Sequence, residues 1–410
     1  MILYPKLRHP LDITLHTEGT EPNRESYLVF RCPLGLVRPS VLVSAIGPVI
    51  SQFTGEHSID EIASALSHLG ATRQLISDLV RLCDDNLLLD SPRFQEQLQA
   101  TLEAFRNDPI RPPAHAGLTY PHERVQLEHL IASYLNPHQG LHTSPLIGLM
   151  VPHIDFSRGG QTYGVGYSAL RSTYPDVIIL LGTAHQASRH LFHLTTKDFA
   201  LPFRTFVNDS DSTHLLANHY GRARSFEDEF LHKHEHSLEL QLPFLHTSVG
   251  TSAKIVPILI GSFHSFILAG RYPDESEPYQ SFIGALQEMC RSILRRGESF
   301  LLLAGVDMAH CGMAFGEKSP LTAEDLQIIE QRDTQYLSSI QRRDPRGIFE
   351  HIAEDRDARR ICGFPTMYLM LDLLNILQPS GTPSILDYRQ AFDPKTDTCV
   401  TFGAASFPLA

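Results

Sequence analysis

The chain has 410 residues, 42% of them hydrophobic and 20% charged, with a formal net charge of -12. That balance excludes a disordered chain and is long enough for more than one core. It offers no general attraction to nucleic acid or to an anionic membrane, and no apolar run is long enough to span a bilayer.

The opening stretch "MILYPKLRHPLDITLH" lacks the continuous apolar core of a secretory signal. Cysteines stand singly at Cys32, Cys83, Cys290, Cys311, Cys362 and Cys399, with no CxxC pair. This pattern predicts reduced thiols in a cytoplasmic protein, not a disulfide framework or a zinc ribbon.

Residues 1–105 read as a small, mainly helical module. "YLVF" (27–30) is an early strand. "SIDEIASALSHLG" begins with a capping box, Ser58 to Glu61, and ends on Gly70. Ile59, Ile62, Ala63, Leu66 and Leu69 fall on one face of that helix. Thr72 caps a second helix, expected to bury Leu75, Leu79 and Leu82, and "LLLD" (87–90) follows as a short strand. Helix, helix and strand in this order suggest a winged helix. Its second helix would be the reading helix on DNA, but it sets Arg73 and Arg81 against Asp78, Asp84 and Asp85. A DNA-reading face should be basic, so a protein- or peptide-docking module is the better reading.

Residues 106–122, "RNDPIRPPAHAGLTYPH", hold four prolines and few bulky apolar side chains. They mark a linker and the start of the next domain, which occupies 110–410. Buried strands are expected at 146–151, 176–182, 254–260 and 299–305, each a short continuous apolar run. A helix within 277–296 carries Phe282, Leu286, Met289 and Ile293 on one face, and another helix follows Thr322. The order predicts an α/β domain around a mainly parallel sheet.

The turns after these strands matter more than the strands themselves. His153 stands after the first, His185 after the second, and Asp307 with His310 after the last. Ligands bind beyond the carboxyl ends of strands in open α/β sheets, so separate strands deliver imidazole and carboxylate to one rim. Those are donors that non-heme iron, copper and zinc prefer. "HKHEHSLELQLPF" adds a histidine-rich stretch in which Leu238 and Leu242 anchor a helix while His236 and Glu239 face elsewhere. Cys362 stands beside Gly363 and Pro365 in a turn before a helix.

Plainer readings stand beside these. Asp307 could cap a following turn, His234 belongs to a solvated patch, and Cys311 is a rival thiol next to His310. "YGVGYSAL" (163–170) lacks the third glycine of a dinucleotide fingerprint. The chain has no G-x-S-x-G elbow, no phosphate-binding P-loop and no HExxH.

"VPHIDFSRGGQTYGVGYSAL", "VIILLGTAHQ", "HEHSLELQLPFL", "KIVPILIGSFH", "GVDMAHCG", "RICGFPTMYLML" and "TCVTFGAASF" occur in this order. Together they resemble the MEMO family, in the bacterial form called AmmeMemoRadiSam system protein B. The likeness starts near residue 110 at "RPPAHAGLTYP" and runs to the end. The family resembles class III extradiol dioxygenases. By position, the resemblance implies metal ligands at His153, His185 and Cys362, with Asp307 and His310 lining the pocket and His236 close to it. It implies iron(II) or copper ahead of zinc, and redox activity. "PHIDF" departs from the family's "PHAGY" and brings in Asp155, while "AHQ" leaves only His185 where a histidine pair is common. Residues 1–105 resemble a PqqD-like module, which implies a peptide or a radical-SAM enzyme as partner.

A His₂Cys set leaves an open position on the metal, and coordination itself would deprotonate Cys362. Each imidazole needs an acceptor for its second nitrogen, and Asp155 and Asp307 are the candidates. His236 or His310 would serve as acid or base, with Asp307 beside them. The leading expectation is therefore a redox-metal protein and possible oxidoreductase. The alternatives are an adaptor with a vestigial metal pocket and a zinc-dependent hydrolase.

Overall fold

The computed structural model describes residues 2–18, 25–138, 145–249, 252–377 and 380–409. They form two compact units, Met1–Asn107 and Asp108–Ala410.

In the first unit, strands β1 (Asp12–Glu18), β2 (Glu25–Arg31) and β3 (Ser40–Val43) make an antiparallel sheet. The expected strand 27–30 is the middle of β2. Ile59–Ala65 is a helix whose Ser58 and Glu61 close the capping box, and Thr72 caps the helix Arg73–Asp85. That second helix buries Ile76, Leu79, Val80 and Cys83, whereas Leu75 and Leu82 are exposed. The buried stripe runs one residue out of step with the expected one, because 76, 79, 80 and 83 give the fuller i, i+3, i+4, i+7 pattern. "LLLD" forms only an isolated bridge, Leu89 to Leu7, and a further helix comes next at Pro92–Asn107. The unit is thus richer in strand than a mainly helical module. The alternation in "DITLHTE" and "ESYLVFR" is what pairs β1 with β2, and a winged helix is not established.

The second unit is a mixed α/β structure. Its strands are β4 (Ile110–Arg111), β5 (Leu146–Val151), β6 (Val177–Thr183), β7 (Phe192–Leu194), β8 (Asp198–Leu201), β9 (Arg204–Phe206), β10 (Lys254–Ile260), β11 (Phe300–Gly305), β12 (His310–Cys311), β13 (Ser384–Asp393) and β14 (Thr398–Pro408). Among the described residues the main sheet runs β12-β14-β5-β11-β6-β10-β7, with β13 also paired to β14. Its centre, β5-β11-β6-β10, is parallel, as the apolar runs predict. The flanks are antiparallel: β14 pairs with β5, and β7 with β10. The sheet is therefore mixed, not mainly parallel.

Every residue of β5, β6 and β11 is buried, because helices cover both faces. On one face Ile179, Leu181, Ile258 and Leu302 meet Phe282, Leu286, Met289 and Ile293 of the helix Glu277–Arg295. On the other, Ile178, Leu180, Leu301 and Leu303 meet Tyr163, Tyr167 and Phe244. Phe192 of β7 stacks on Phe282 with ring centroids 3.9 Å apart. The glycines of 159–166 serve this packing, not a nucleotide: a Cβ on Gly164 would lie 2.1 Å from the Tyr134 carbonyl oxygen.

Candidate functional site

Three parallel strands end at the same rim, and their turns carry the predicted donors. His153 follows β5, His185 follows β6, and Asp307 follows β11. Two further segments reach the rim. The short helix His236–Glu239 presents His236 at its first position, and Cys362 lies in the turn before the helix Phe364–Leu377. Gly305 closes β11 because nothing larger fits: a Cβ there would stand 2.6 Å from both Gln241 Nε2 and Ser237 O.

Each of His153, His185 and His236 brings a ligand atom to within 4.8 Å of those of the other two. The His185 and His236 rings stack with centroids 4.6 Å apart, and His153 meets them edge-on at 4.9 and 5.2 Å. Cys362 Sγ lies 3.3 Å from His153 Nε2. The three residues expected to hold a metal are therefore together, and His236 stands among them.

The other ring nitrogens are accounted for. His153 Nδ1 is 2.9 Å from Gly305 O, which leaves Nε2 toward Cys362. His185 Nδ1 is 2.9 Å from Glu235 Oε1, and His236 Nδ1 is 3.2 Å from the same oxygen. Glu235 also accepts from the amides of His185 at 3.1 Å and Ser237 at 2.9 Å. Engaging one nitrogen of an imidazole fixes the ring and leaves the other for a metal. Donor set and orientation both fit a transition metal bound by nitrogen with sulfur at hand, and do not fit magnesium or calcium.

Asp307 acts mainly on backbone. Its Oδ1 accepts from the amides of His153 at 2.9 Å and Ile154 at 3.2 Å, and its Oδ2 is 3.6 Å from His153 Nε2. The plain cap reading is thus replaced by a brace on the His153 turn. His310 lines the pocket wall, with Nδ1 3.1 Å from Met308 O and 3.2 Å from Arg360 O. Among the described residues Asp155 braces no histidine; it caps the helix Phe156–Ser168 and bonds Ser157 and Arg158. An N-cap position claims a carboxylate before a distant ring can. Cys311 is no rival, since it is buried opposite Cys399 across β12 and β14. His234 is not a solvated patch: it is partly buried, and burial pushes its pKa down to about 4.

Electrostatics divide the rim. Burial, with His185 nearby, pushes His153 down to about 3, and burial likewise takes His236 to about 3. Both are neutral imidazoles at pH 7, the form that ligates metal. Burial works against a charge on His185, yet the Glu235 carboxylate and the Cys362 sulfur beside it hold its pKa well above the usual range. Burial would raise Glu235 too, but His185 outweighs it and keeps that carboxylate well below its ordinary pKa. Burial lifts Asp307 to about 6 and raises the Cys362 thiol.

Two cavities meet at the rim. The larger, about 530 Å³, is lined by His115, Arg158, His153, His185, His236 and His310 among others. The smaller, about 220 Å³, reaches His185 and Cys362 from the side of Phe263 and Asp357.

The family model described as Memo-like protein matches residues 111–407. The chain belongs to the Memo-like family. A MEMO1 family protein of Aquifex aeolicus is 24% identical over 392 residues, 94% of this chain and 97% of that relative. One from Thermus thermophilus is 28% identical over 304 residues, covering 73% and 83% of the two chains. The protein memo-1 homolog of Caenorhabditis elegans is 25% identical over 285 residues, 67% of this chain and 74% of its own. The matched region takes in every rim residue of this Memo-like chain.

Sequence reasoning missed Glu235 as the shared acceptor, and missed Arg111 and His115 altogether. The available signal for Glu235 was its place immediately before His236, at the N-cap of the short helix His236–Glu239.

Proposed function

We propose that this Memo-like protein binds one redox-active metal ion, iron(II) or copper, through His153 and His185, with His236 and Cys362 as the adjoining donors. The observation that carries this is the convergence of imidazole nitrogens from separate segments to within 4.8 Å of one another. The second nitrogens of His153 and His185 are held by Gly305 O and Glu235, and that of His236 lies 3.2 Å from Glu235 Oε1. The nearby sulfur of Cys362 is a soft donor, which suits copper, iron or zinc and not magnesium or calcium. Such an ion would supply electron transfer or activation of a bound small molecule. The chain supplies the rest: Asp307 fixes the His153 turn, Glu235 holds the charge beside His185, and His310 faces the cavity as the candidate to take or give a proton.

Elemental analysis after anaerobic purification tests the reading. Wild type should carry about one iron or copper per chain, and His153→Ala and His185→Ala should lose it while keeping the fold. Metal content in those variants equal to wild type would sink it. A three-imidazole set also suits catalytic zinc, so stoichiometric zinc in redox-silent protein would move the assignment to a zinc hydrolase.

Among the described residues no helix is long and apolar enough to cross a membrane, and a cytoplasmic location belongs to the same proposal. For the first unit the proposed role is docking of a peptide or a radical-SAM enzyme, the bacterial AmmeMemoRadiSam arrangement. Pull-downs comparing the full chain with residues 110–410 test it, and equal capture counts against it.

A further inference from the structure

The helix His236–Glu239 faces the rim at its first residue and another buried cluster at its last. The side chains of Glu239 and Arg111 have no exposed surface, and they pair directly. Glu239 Oε1 accepts from the Tyr120 hydroxyl at 2.6 Å and from the His115 amide at 2.9 Å. Its Oε2 accepts from the Ala114 amide at 3.0 Å and from Arg111. Arg111 donates through Nε to His232 O and through Nη2 to Glu235 O, each at 2.9 Å.

These contacts have two destinations. One group pins residues 111–120 as a strap, which carries His115 and Thr119 into the wall of the larger cavity. The His115 ring sits 5.9 Å from that of His236, with Nε2 3.0 Å from His234 O. The other group holds the backbone of residues 232–235, the loop that delivers Glu235 and His236. A buried ion pair contributes little stability over an apolar pair of the same volume, so stability alone is a weak account of it. It does fix geometry, through charged partners with no freedom to move.

We propose that Arg111 and Glu239 are positioning residues for the metal pocket: one buried carboxylate–guanidinium clamp sets both the strap bearing His115 and the loop bearing Glu235 and His236. The inference rests on the rim being a metal site, and its test separates the two.

Four full-length proteins are compared: wild type, Arg111→Met/Glu239→Gln, Tyr120→Phe, and Phe282→Leu as a control that loosens the core away from the rim. Zinc ion is titrated in competition with a chromophoric chelator, thermal midpoints are recorded, and amide exchange at Ala114 and His115 is followed in metal-free protein. The double variant removes both charges together and should bind zinc about 10–100-fold more weakly. The control, at a comparable loss of thermal midpoint, should bind as wild type does. Exchange at the two amides should rise at least about tenfold in the double variant only. Tyr120→Phe keeps both charges and should weaken zinc binding by about 2- to 10-fold, which decides the matter if the double variant does not fold.

Wild-type zinc affinity in the clamp variants, or equal losses in clamp variants and control, would overturn the proposal. If wild type binds no zinc, copper(I) and iron(II) titrations take its place; failure of all three sinks the metal reading, and the exchange arm still decides the clamp. Protected amides in the double variant refute it, and rapid exchange there upholds it.

Discussion

His153 and His185 stand on two turns at one rim of the sheet and are held by opposite means. His153 leans on a backbone carbonyl, Gly305 O, and its turn hangs on Asp307. His185 leans on an ionised carboxylate, Glu235, which it shares with His236. The first half is buried, and its imidazole is neutral, pushed down to about 3. The second concentrates the charge of the rim. A pocket built this way has one rigid donor and one whose basicity is set by a partner, so the two histidines should respond differently to loss of their braces.

Breaking the charged half should do most damage. Glu235→Gln leaves His185 without its counter-charge and weakens the bonds to His185 and Ser237. The expected loss is about 3–5 kcal/mol in urea denaturation. An unchanged midpoint would mean that Glu235 is not the ionised partner.

A second expectation uses histidines that never reach the rim. Burial pushes His232 down to about 3 and His193 to about 4, and neither His193 ring nitrogen has a hydrogen-bond partner among the described residues. Their folded pKa values lie below the unfolded value, so the unfolded chain binds more protons once pH falls below about 6.5. Stability is full above that pH and is lost as pH drops toward 4, by up to about 1.4 kcal/mol per unit for each ring. Urea midpoints from pH 7 to 4.5 should show that slope, and His193→Gln should flatten it. A slope unaffected by that change would show His193 already protonated in the fold.

Asp307→Asn tests the His153 half. An amide oxygen can still accept from the His153 and Ile154 backbones, so the expected cost is about 1–3 kcal/mol, smaller than for Glu235. A larger loss than Glu235→Gln would reverse the ranking of the two halves. Smallest of all, Asp155→Ala removes only a helix cap, about 0.5–2 kcal/mol. Metal content should not change, and a fall would return Asp155 to the site.

Much of this was legible in the sequence because it is local. Strands buried on both faces read as unbroken apolar runs, and the turn after each lies at the rim, so the shared position of His153, His185 and Asp307 could be read from their neighbours. Glu235 was missed because its role is defined by a ring fifty positions away, His185, and not by its own surroundings. Arg111 and Glu239 pair across a span that leaves no periodic trace, and "RPPAHAG" reads as a linker when only its prolines are weighed. The antiparallel flanks were missed for the same reason: β14 is recognisable only by the strand it joins. The first unit was misread where two amphipathic registers competed along one helix, and packing chose Ile76 and Val80 over Leu75 and Leu82.

The position of β14 has a bearing on how the molecule is made. It lies between β5 and β13, with Leu149 opposite Ser406. A ribosome that has finished β5 must therefore synthesise the rest of the sheet before that strand acquires its neighbour. Until then an apolar edge stays uncovered, open to pairing with other nascent chains. Closure of the sheet is a late and long-range event, which favours slow assembly.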